Sequence, residues 1–173
     1  MTVNSGADAG VKGSLRVEGG KGAVRMEARF QTGTDDVWSA LTDPERLACW
    51  YGEVEGDFRV GGEYRAHLFA SGWEGTGRIE ACEPRRRLQV TGAEPDEQDG
   101  TLTEVTLTAD AGQTVLIWEE RGMQADGVAA YGVGVQIHVE DLAAHLAGRE
   151  RCDAGTRWTE LESFYDHLAA KIG

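Results

Sequence analysis

The sequence has 173 residues, of which 27% are charged and 40% are hydrophobic, and its formal net charge is −13. This length and composition are typical of one globular domain with its own core. The negative charge repels phosphate backbones and anionic lipid, and no apolar run approaches the roughly 18 residues of a membrane span, so nucleic-acid and membrane partners are excluded.

The three cysteines, Cys49, Cys82 and Cys152, are widely spaced and form no Cys-x-x-Cys pair. This spacing argues against a disulfide framework and against a thiolate zinc site, and it fits a reducing compartment. The first residues, MTVNSGADAGVKG, are polar and glycine-rich, unlike the apolar region of a signal peptide. We therefore predict a cytoplasmic protein, with no bound metal and no cofactor.

In chain order, residues 1–12 lack periodicity and predict a flexible tail, after which residues 13–173 form a single domain. A hairpin comes first, because apolar and charged residues alternate on both sides of Gly19-Gly20-Lys21-Gly22. One face of its second strand carries Val24, Met26, Ala28 and Phe30.

Two short helices are predicted between Thr34 and Gly52. Thr34 or Asp35 suits the N-cap of the first helix, and Asp43-Pro44 ends it and begins the second. Apolar residues recur at helical spacing on both, namely Val37, Trp38 and Leu41, then Leu47, Trp50 and Tyr51. Trp38 and Leu41 read as core, whereas Trp50 and Tyr51 fit either core packing or the entrance of a pocket.

Residues 53–122 predict a run of short strands, with turns at Gly61-Gly62, at Pro84 and at Ala111-Gly112. No long helical pattern separates the strands, so the sheet is expected to be antiparallel. Alternation predicts these inward positions: Tyr64, Ala66, Leu68, Trp73, Gly75, Gly77, Ile79, Ala81, Leu88, Val90, Val105, Leu107, Leu116 and Trp118. The two inward glycines, Gly75 and Gly77, favour a bend or a cavity.

The pattern then changes to two helices. The first, from Val128 to Gly148, carries Tyr131, Val135, His138 and Leu142 on one stripe. Gly132 and Gly134 are expected in its first turn, where they either allow a close approach by ligand or sheet or mark a frayed start. The second helix, over residues 156–172, aligns Trp158, Leu161, Tyr165 and Leu168.

Four stretches carry a family resemblance, namely VWSALTDPERLACWYG, EGDFRVGGEYR, GRIEACEPRRRLQVT and GVQIHVEDLAAHLAG. In this order, they resemble the START-like superfamily (SRPBCC, also described as polyketide cyclase or Bet v 1-like), and within it the branch of the activator of Hsp90 ATPase. The resemblance spans roughly residues 13 to 170. It implies an α+β helix-grip fold, in which a curved antiparallel sheet wraps a long C-terminal helix, with two short helices after the first strands and an extra terminal helix.

In that fold, the short helices close one end of a hydrophobic cavity between the sheet and the long helix. The predicted ligand-binding residues are Trp50, Tyr51, Tyr64, Trp73, Trp118, Tyr131, Val135 and His138. Glu120 and His138 are the candidates for catalysis. An inward Glu120 would be a desolvated carboxylate with a raised pKa, but the interpretation we favour ends the strand at Trp118 and leaves Glu120 in solvent.

His138, Asp141 and His145 share one helix face and could in principle hold a divalent metal, although helical metal sites use tighter patterns. Three functions remain open. The preferred one is binding of a small hydrophobic or aromatic molecule in the cavity. The alternatives are an Hsp90 cochaperone-type interaction module and a cyclase or dehydratase-type enzyme that uses the same cavity. The chain could act as a monomer or as a homodimer.

Overall fold

The structure is a computed structural model, and it describes residues 10–97 and 100–172. Its strands are β1 Lys12–Glu18, β2 Lys21–Phe30, β3 Gly52–Gly56, β4 Glu63–Leu68, β5 Glu74–Glu83, β6 Arg87–Ala93, β7 Thr101–Asp110 and β8 Gln113–Gln124. Its helices are α1 Thr34–Thr42, α2 Pro44–Trp50, α3 Val128–Leu146 and α4 Ala154–Ala170, and a short 3-10 turn, Ala125–Gly127, precedes α3. Residues 1–9 lie outside the described residues, so for them the predicted tail stays a prediction, whereas Lys12, which was assigned to that tail, is the first residue of β1.

The eight strands form one antiparallel sheet in the order β1-β2-β8-β7-β6-β5-β4-β3. From β3 to β8 each strand pairs with its sequence neighbour, whereas the first hairpin joins the sheet by pairing β2 with β8. The inner face of the sheet holds α3, and α1 and α2 lie between the end of β2 and the start of β3. The predicted helix-grip fold is confirmed.

The two short helices are built as predicted at their junction. Pro44 is the first residue of α2, and the Asp43 side chain caps that helix by accepting a hydrogen bond from the Glu45 amide at 3.0 Å. The start of α1 differs from the prediction. Its N-cap is Gly33, whose missing side chain provides no capping bond, and Thr34 is already the first helical residue.

Two parts of the sheet also differ from the alternation pattern. Residues 57–62 form the loop between β3 and β4, so the strand that was predicted before Gly61-Gly62 lies earlier, at Gly52–Gly56. In β5, a bulge between Ile79 and Ala81 shifts the register by one residue. Beyond the bulge, Cys82 faces the interior opposite Leu88, and the predicted inward position of Ala81 is wrong.

Helix α3 is buried on nearly every side. The sheet covers one face, while α4 and β1 cover the other, where Gly132 leaves room for the Tyr165 ring and for Leu15. Since α3 begins at Val128, Gly132 and Gly134 lie in its second turn rather than at a frayed start. The close approach at Gly132 therefore serves helix packing, not a ligand.

Candidate functional site

A cavity of about 310 Å³ lies between the short helices and the inner face of the sheet. We call it the inner chamber. Helices α1 and α2 contribute Trp38, Leu41, Thr42, Leu47 and Trp50, and the strands and their loops contribute Val54, Phe58, Ile79, Cys82, Leu88, Val105 and Trp118. Almost all of these side chains are apolar, so the chamber suits a hydrocarbon or aromatic group.

A second cavity, of about 590 Å³, lies between the sheet and α3, and we call it the outer chamber. The two chambers share Tyr51, Tyr64, Val90 and Thr103, which therefore form the junction between them. The outer chamber is more polar: besides the shared residues, it is lined by Trp73, Glu74, Glu94, Glu120, Tyr131, Gly134, Val135, His138 and Trp158, among others.

Aromatic rings cluster at the junction. The Tyr51 ring lies 4.8 Å from the His138 ring and 6.0 Å from the Trp118 ring, measured between centroids. His138 and Trp118 stack, with an interplanar angle of 18° and a centroid distance of 5.9 Å. Trp50 is edge-on to Trp118 at 6.3 Å. These contacts fix the ring orientations before any ligand arrives.

Trp50 is both a lining residue and part of the core. It is fully buried, and its indole N–H donates to the Ala40 carbonyl oxygen at 3.0 Å, which fastens α2 to α1. The sequence left open whether Trp50 and Tyr51 pack or face a pocket. In the structure both line the inner chamber, and Tyr51 lines the outer chamber as well.

Glu120 is inward-facing and only 8% exposed, so the favoured interpretation of a solvated strand end is wrong. The reason is that β8 continues to Gln124, with Glu120 paired between Val24 of β2 and Thr103 of β7. The Trp118 indole N–H donates to the Glu120 carboxylate at 3.2 Å. Burial raises the pKa of Glu120, and hydrogen bonds from Trp118 and Thr103 oppose this rise.

His138 is 4% exposed, and burial lowers the pKa of its imidazole to about 4. The ring is therefore neutral near pH 7 and offers one acceptor nitrogen in either tautomer. Among the residues that the structure describes, no hydrogen bond reaches either ring nitrogen. Buried polar groups usually have a hydrogen-bond partner, so this free acceptor makes His138 a candidate contact for a polar group in the cavity.

The tyrosines at the site differ in what their hydroxyls do. Tyr64 donates to the Thr91 carbonyl oxygen at 3.0 Å, so its hydroxyl is held by the sheet rather than pointed at solvent. Burial and the nearby Glu120 carboxylate raise the pKa of Tyr64 and of Tyr131 to about 12, and they raise the pKa of Tyr51 well above its ordinary value. All three phenols stay protonated at neutral pH.

Gly75 and Gly77 do not leave empty space. A Cβ atom on Gly77 would overlap a backbone oxygen and lie 2.5 Å from the Tyr64 hydroxyl, and one on Gly75 would lie 2.6 Å from the Trp73 ring. The glycines thus make room for two aromatic rings on the inner face of the sheet. These rings, rather than voids left by the glycines, shape the outer chamber.

Every predicted ligand-binding residue lines one chamber or both: Trp50, Tyr51, Tyr64, Trp73, Trp118, Tyr131, Val135 and His138. Their contact with a ligand stays a prediction. Sequence reasoning missed Phe58, which lies in the loop before β4, and Thr103 at the junction. It also assigned Trp38 to plain core and Trp158 to a packing stripe, yet both line a chamber.

The possible metal trio is not brought together. His145 accepts a hydrogen bond from the Arg46 guanidinium at 3.0 Å, while Asp141 accepts one from the Cys152 amide at 2.9 Å, so each has its own partner away from His138. In residues 10–97 and 100–172, no three histidine, cysteine or acidic side chains are grouped to hold a metal ion.

The mouth of the outer chamber lies between the β4–β5 hairpin and the start of α4. Ser71, Gly72 and Trp73 line it from the hairpin, and Trp158 lines it from α4. The Arg151 guanidinium, in the loop before α4, lies 4.0 Å from the centre of the Phe69 ring in the hairpin. This cation–π contact ties the two sides of the mouth together.

A curved antiparallel sheet that grips a long helix over an aromatic-lined cavity defines a START-like (SRPBCC) domain. The family model for "Activator of Hsp90 ATPase homolog 1-like protein" matches residues 31–147, and the chain belongs to this family. A comparison with curated proteins finds no match. None of the described helices is long and apolar enough to cross a membrane.

Solved structures show the same fold. CalU16 from Micromonospora echinospora superposes with a TM-score of 0.75 at 24% identity, covering 92% of this chain and 98% of its own. A conserved protein of unknown function, EF2215 from Enterococcus faecalis, has a TM-score of 0.73 at 19% identity, covering 94% and 92%. DynU16, from the dynemicin biosynthetic locus, has a TM-score of 0.68 at 28% identity, covering 76% of this chain and 50% of its own.

Proposed function

We propose that the protein binds a small, mainly hydrophobic or aromatic molecule across the two chambers. The observation that carries this proposal is the inner chamber, a cavity of about 310 Å³ with an almost wholly apolar lining, which shares four lining residues with a second cavity of about 590 Å³. These volumes lie in the range of small-molecule sites, and the few polar groups that converge at the junction suit the orientation of a ligand. DynU16, which shares the fold, comes from a biosynthetic locus, and this supports a small-molecule role.

Binding can be tested with a neutral, environment-sensitive dye such as phenylnaphthylamine, together with native mass spectrometry of the purified protein. We expect dye fluorescence to rise on binding. Val90→Phe should weaken dye binding, because the larger side chain fills the junction between the chambers. Val60→Phe, at an exposed position, should leave dye binding unchanged. If the folded protein neither binds the dye nor retains any small molecule, the proposal fails.

A second candidate function is acid–base catalysis of the cyclase or dehydratase type, and the specific observation in its favour is the pair of Glu120 and His138. Both are buried beside the junction, one as a carboxyl with a raised pKa and one as a neutral imidazole. Once a bound molecule is known, its conversion should be measured for Glu120→Gln and His138→Ala. Unchanged conversion in both variants would remove this candidate.

Because the family is named for an activator of Hsp90 ATPase, contact with Hsp90 is an alternative function. The matched segment, residues 31–147, includes all of the lining of both chambers except Trp158 of α4, and it excludes β1, β2 and α4. An interaction module should bind Hsp90 and change its ATPase rate. A pulldown without Hsp90, together with an unaltered rate, would set this alternative aside.

A further inference from the structure

The buried carboxylate of Glu120 has no cation beside it. Only the Trp118 indole and Thr103 donate to it among the described residues, and both donors are neutral. The neighbouring Glu119 shows the contrast, because it points to the other face of the sheet and pairs with Arg25 and Arg121. A buried carboxylate is normally matched by a positive charge, and no described side chain supplies one here.

The charged residues that line the outer chamber are all acidic. The lining contains Glu120 beside the junction and Glu74 and Glu94 at the mouth, and none of its described residues is a lysine or an arginine. Arg151, which stacks on Phe69 beside the mouth, is not part of the lining. A chamber with this charge, in a chain of net charge −13, attracts cations and repels anions.

Two further features point to a ligand with a polarised N–H group. The His138 imidazole is buried, lines the chamber and has no hydrogen bond among the described residues, so its acceptor nitrogen is free. The same chamber is lined by the rings of Tyr51, Tyr64 and Tyr131 and by two tryptophans. Aromatic faces attract ammonium groups, and most strongly where water is excluded.

We infer that the ligand is an organic cation: a protonated amine on a hydrophobic or aromatic body, with its ammonium group in the outer chamber beside the junction, between Glu120 and His138. The apolar body would occupy the inner chamber, whose lining carries no charged side chain. A carboxylate or phosphate group at the same place would face Glu120 without a counter-charge. This inference rests on the proposed binding function and names the chemical class of its ligand.

The test uses three probes with one aromatic skeleton: naphthylethylamine, naphthylethanol and naphthylacetate, titrated at neutral pH by calorimetry and tryptophan fluorescence. We expect the amine to bind roughly tenfold or more tightly than the alcohol, with the acid weakest. Glu120→Gln should abolish the preference for the amine and leave the affinity for the alcohol. Glu119→Gln, which removes a carboxylate from the opposite face, should keep the preference.

Equal binding of amine and alcohol, or equal effects of the two variants, would overturn the cation inference while ligand binding itself stands. The inference also fails if the neutral dye binds but none of the three probes does. If neither the dye nor any probe binds, the proposed function fails as well. Should Glu120→Gln not fold, as judged by circular dichroism, the ranking of the three probes on the unmodified chain decides.

Discussion

The helix α4 is fastened to α3 by a buried polar network, and its central pair can be tested by removing one partner. The Arg157 guanidinium donates to the Glu140 carboxylate twice, from Nε at 2.8 Å and from Nη2 at 2.7 Å. Glu140 also accepts from the Gln136 amide at 2.9 Å and is only 5% exposed. Two parallel bonds of this kind are among the stronger polar interactions in proteins.

The perturbation is Arg157→Met, which keeps much of the apolar stem and removes the charge. Glu140 would then be a buried carboxylate whose remaining donor is the neutral Gln136 amide. Breaking a buried pair in this way costs about 3 to 5 kcal/mol. Because the Arg157 side chain is itself 26% exposed, we expect the lower end, about 3 kcal/mol. For a chain of this size, that is a fall of about 6 to 12 °C in Tm.

The free energy of unfolding should be measured by urea denaturation for Arg157→Met, Glu140→Gln and the double variant. We expect the double variant to lose less stability than the sum of the single variants, with a coupling of about 1 kcal/mol or more. Arg149→Met is the matched control, because Arg149 is exposed and its side chain has no partner among the described residues. A cost for Arg157→Met below about 1 kcal/mol, or additive effects, would refute the reasoning.

Three further predictions concern the chambers and the cysteines. Burial lowers the pKa of His138 from about 6.5 in the unfolded chain to about 4 in the folded chain. The neutral imidazole therefore contributes its full stability above pH 6.5, and this contribution is lost as the pH falls towards 4. The stability difference between the unmodified chain and His138→Gln should therefore shrink by about 3 kcal/mol over this range in urea titrations, and a flat difference would contradict the burial argument. Gly77→Ala should destabilise the fold by about 1 to 3 kcal/mol and reduce dye binding, because the added Cβ overlaps a backbone oxygen and the Tyr64 ring. Gly127→Ala, whose added Cβ meets open space, is the control for both measurements. Iodoacetamide should modify the exposed Cys49 first and Cys152 only after denaturation, because burial and the nearby Asp141 raise the pKa of the Cys152 thiol to about 12. Equal modification rates of the two cysteines, followed by mass spectrometry, would show that this reasoning is wrong.

The periodic parts of the fold could be predicted from the sequence because their local signals agree with their packing. Alternation placed Val24, Met26 and Ala28 on the buried face of β2, and the Asp43-Pro44 pair marked the break between α1 and α2. In both cases the deciding chemistry lies within a few residues along the chain.

The remaining features depend on contacts between distant residues. Glu120 is buried because two neighbouring strands flank it and because donors on Trp118 and Thr103 compensate its carboxylate, and only the strand register reveals this. The bulge that turns Cys82 inward has no signal in the alternation pattern. The space beside Gly77 is filled by Tyr64, its partner on the adjacent strand, and the sequence does not show this pairing.

The pairing of β2 with β8 has a consequence for how the chain is synthesised. Met26 lies opposite Trp118, so this ladder of the sheet joins segments that leave the ribosome far apart in time. Strand β2 has no β8 to pair with until most of the polypeptide has emerged, so its apolar side chains stay exposed during synthesis. The meander from β3 to β8, in contrast, can pair as it is made. Such non-local pairing slows folding, and the nascent first hairpin is where aggregation is most expected to begin.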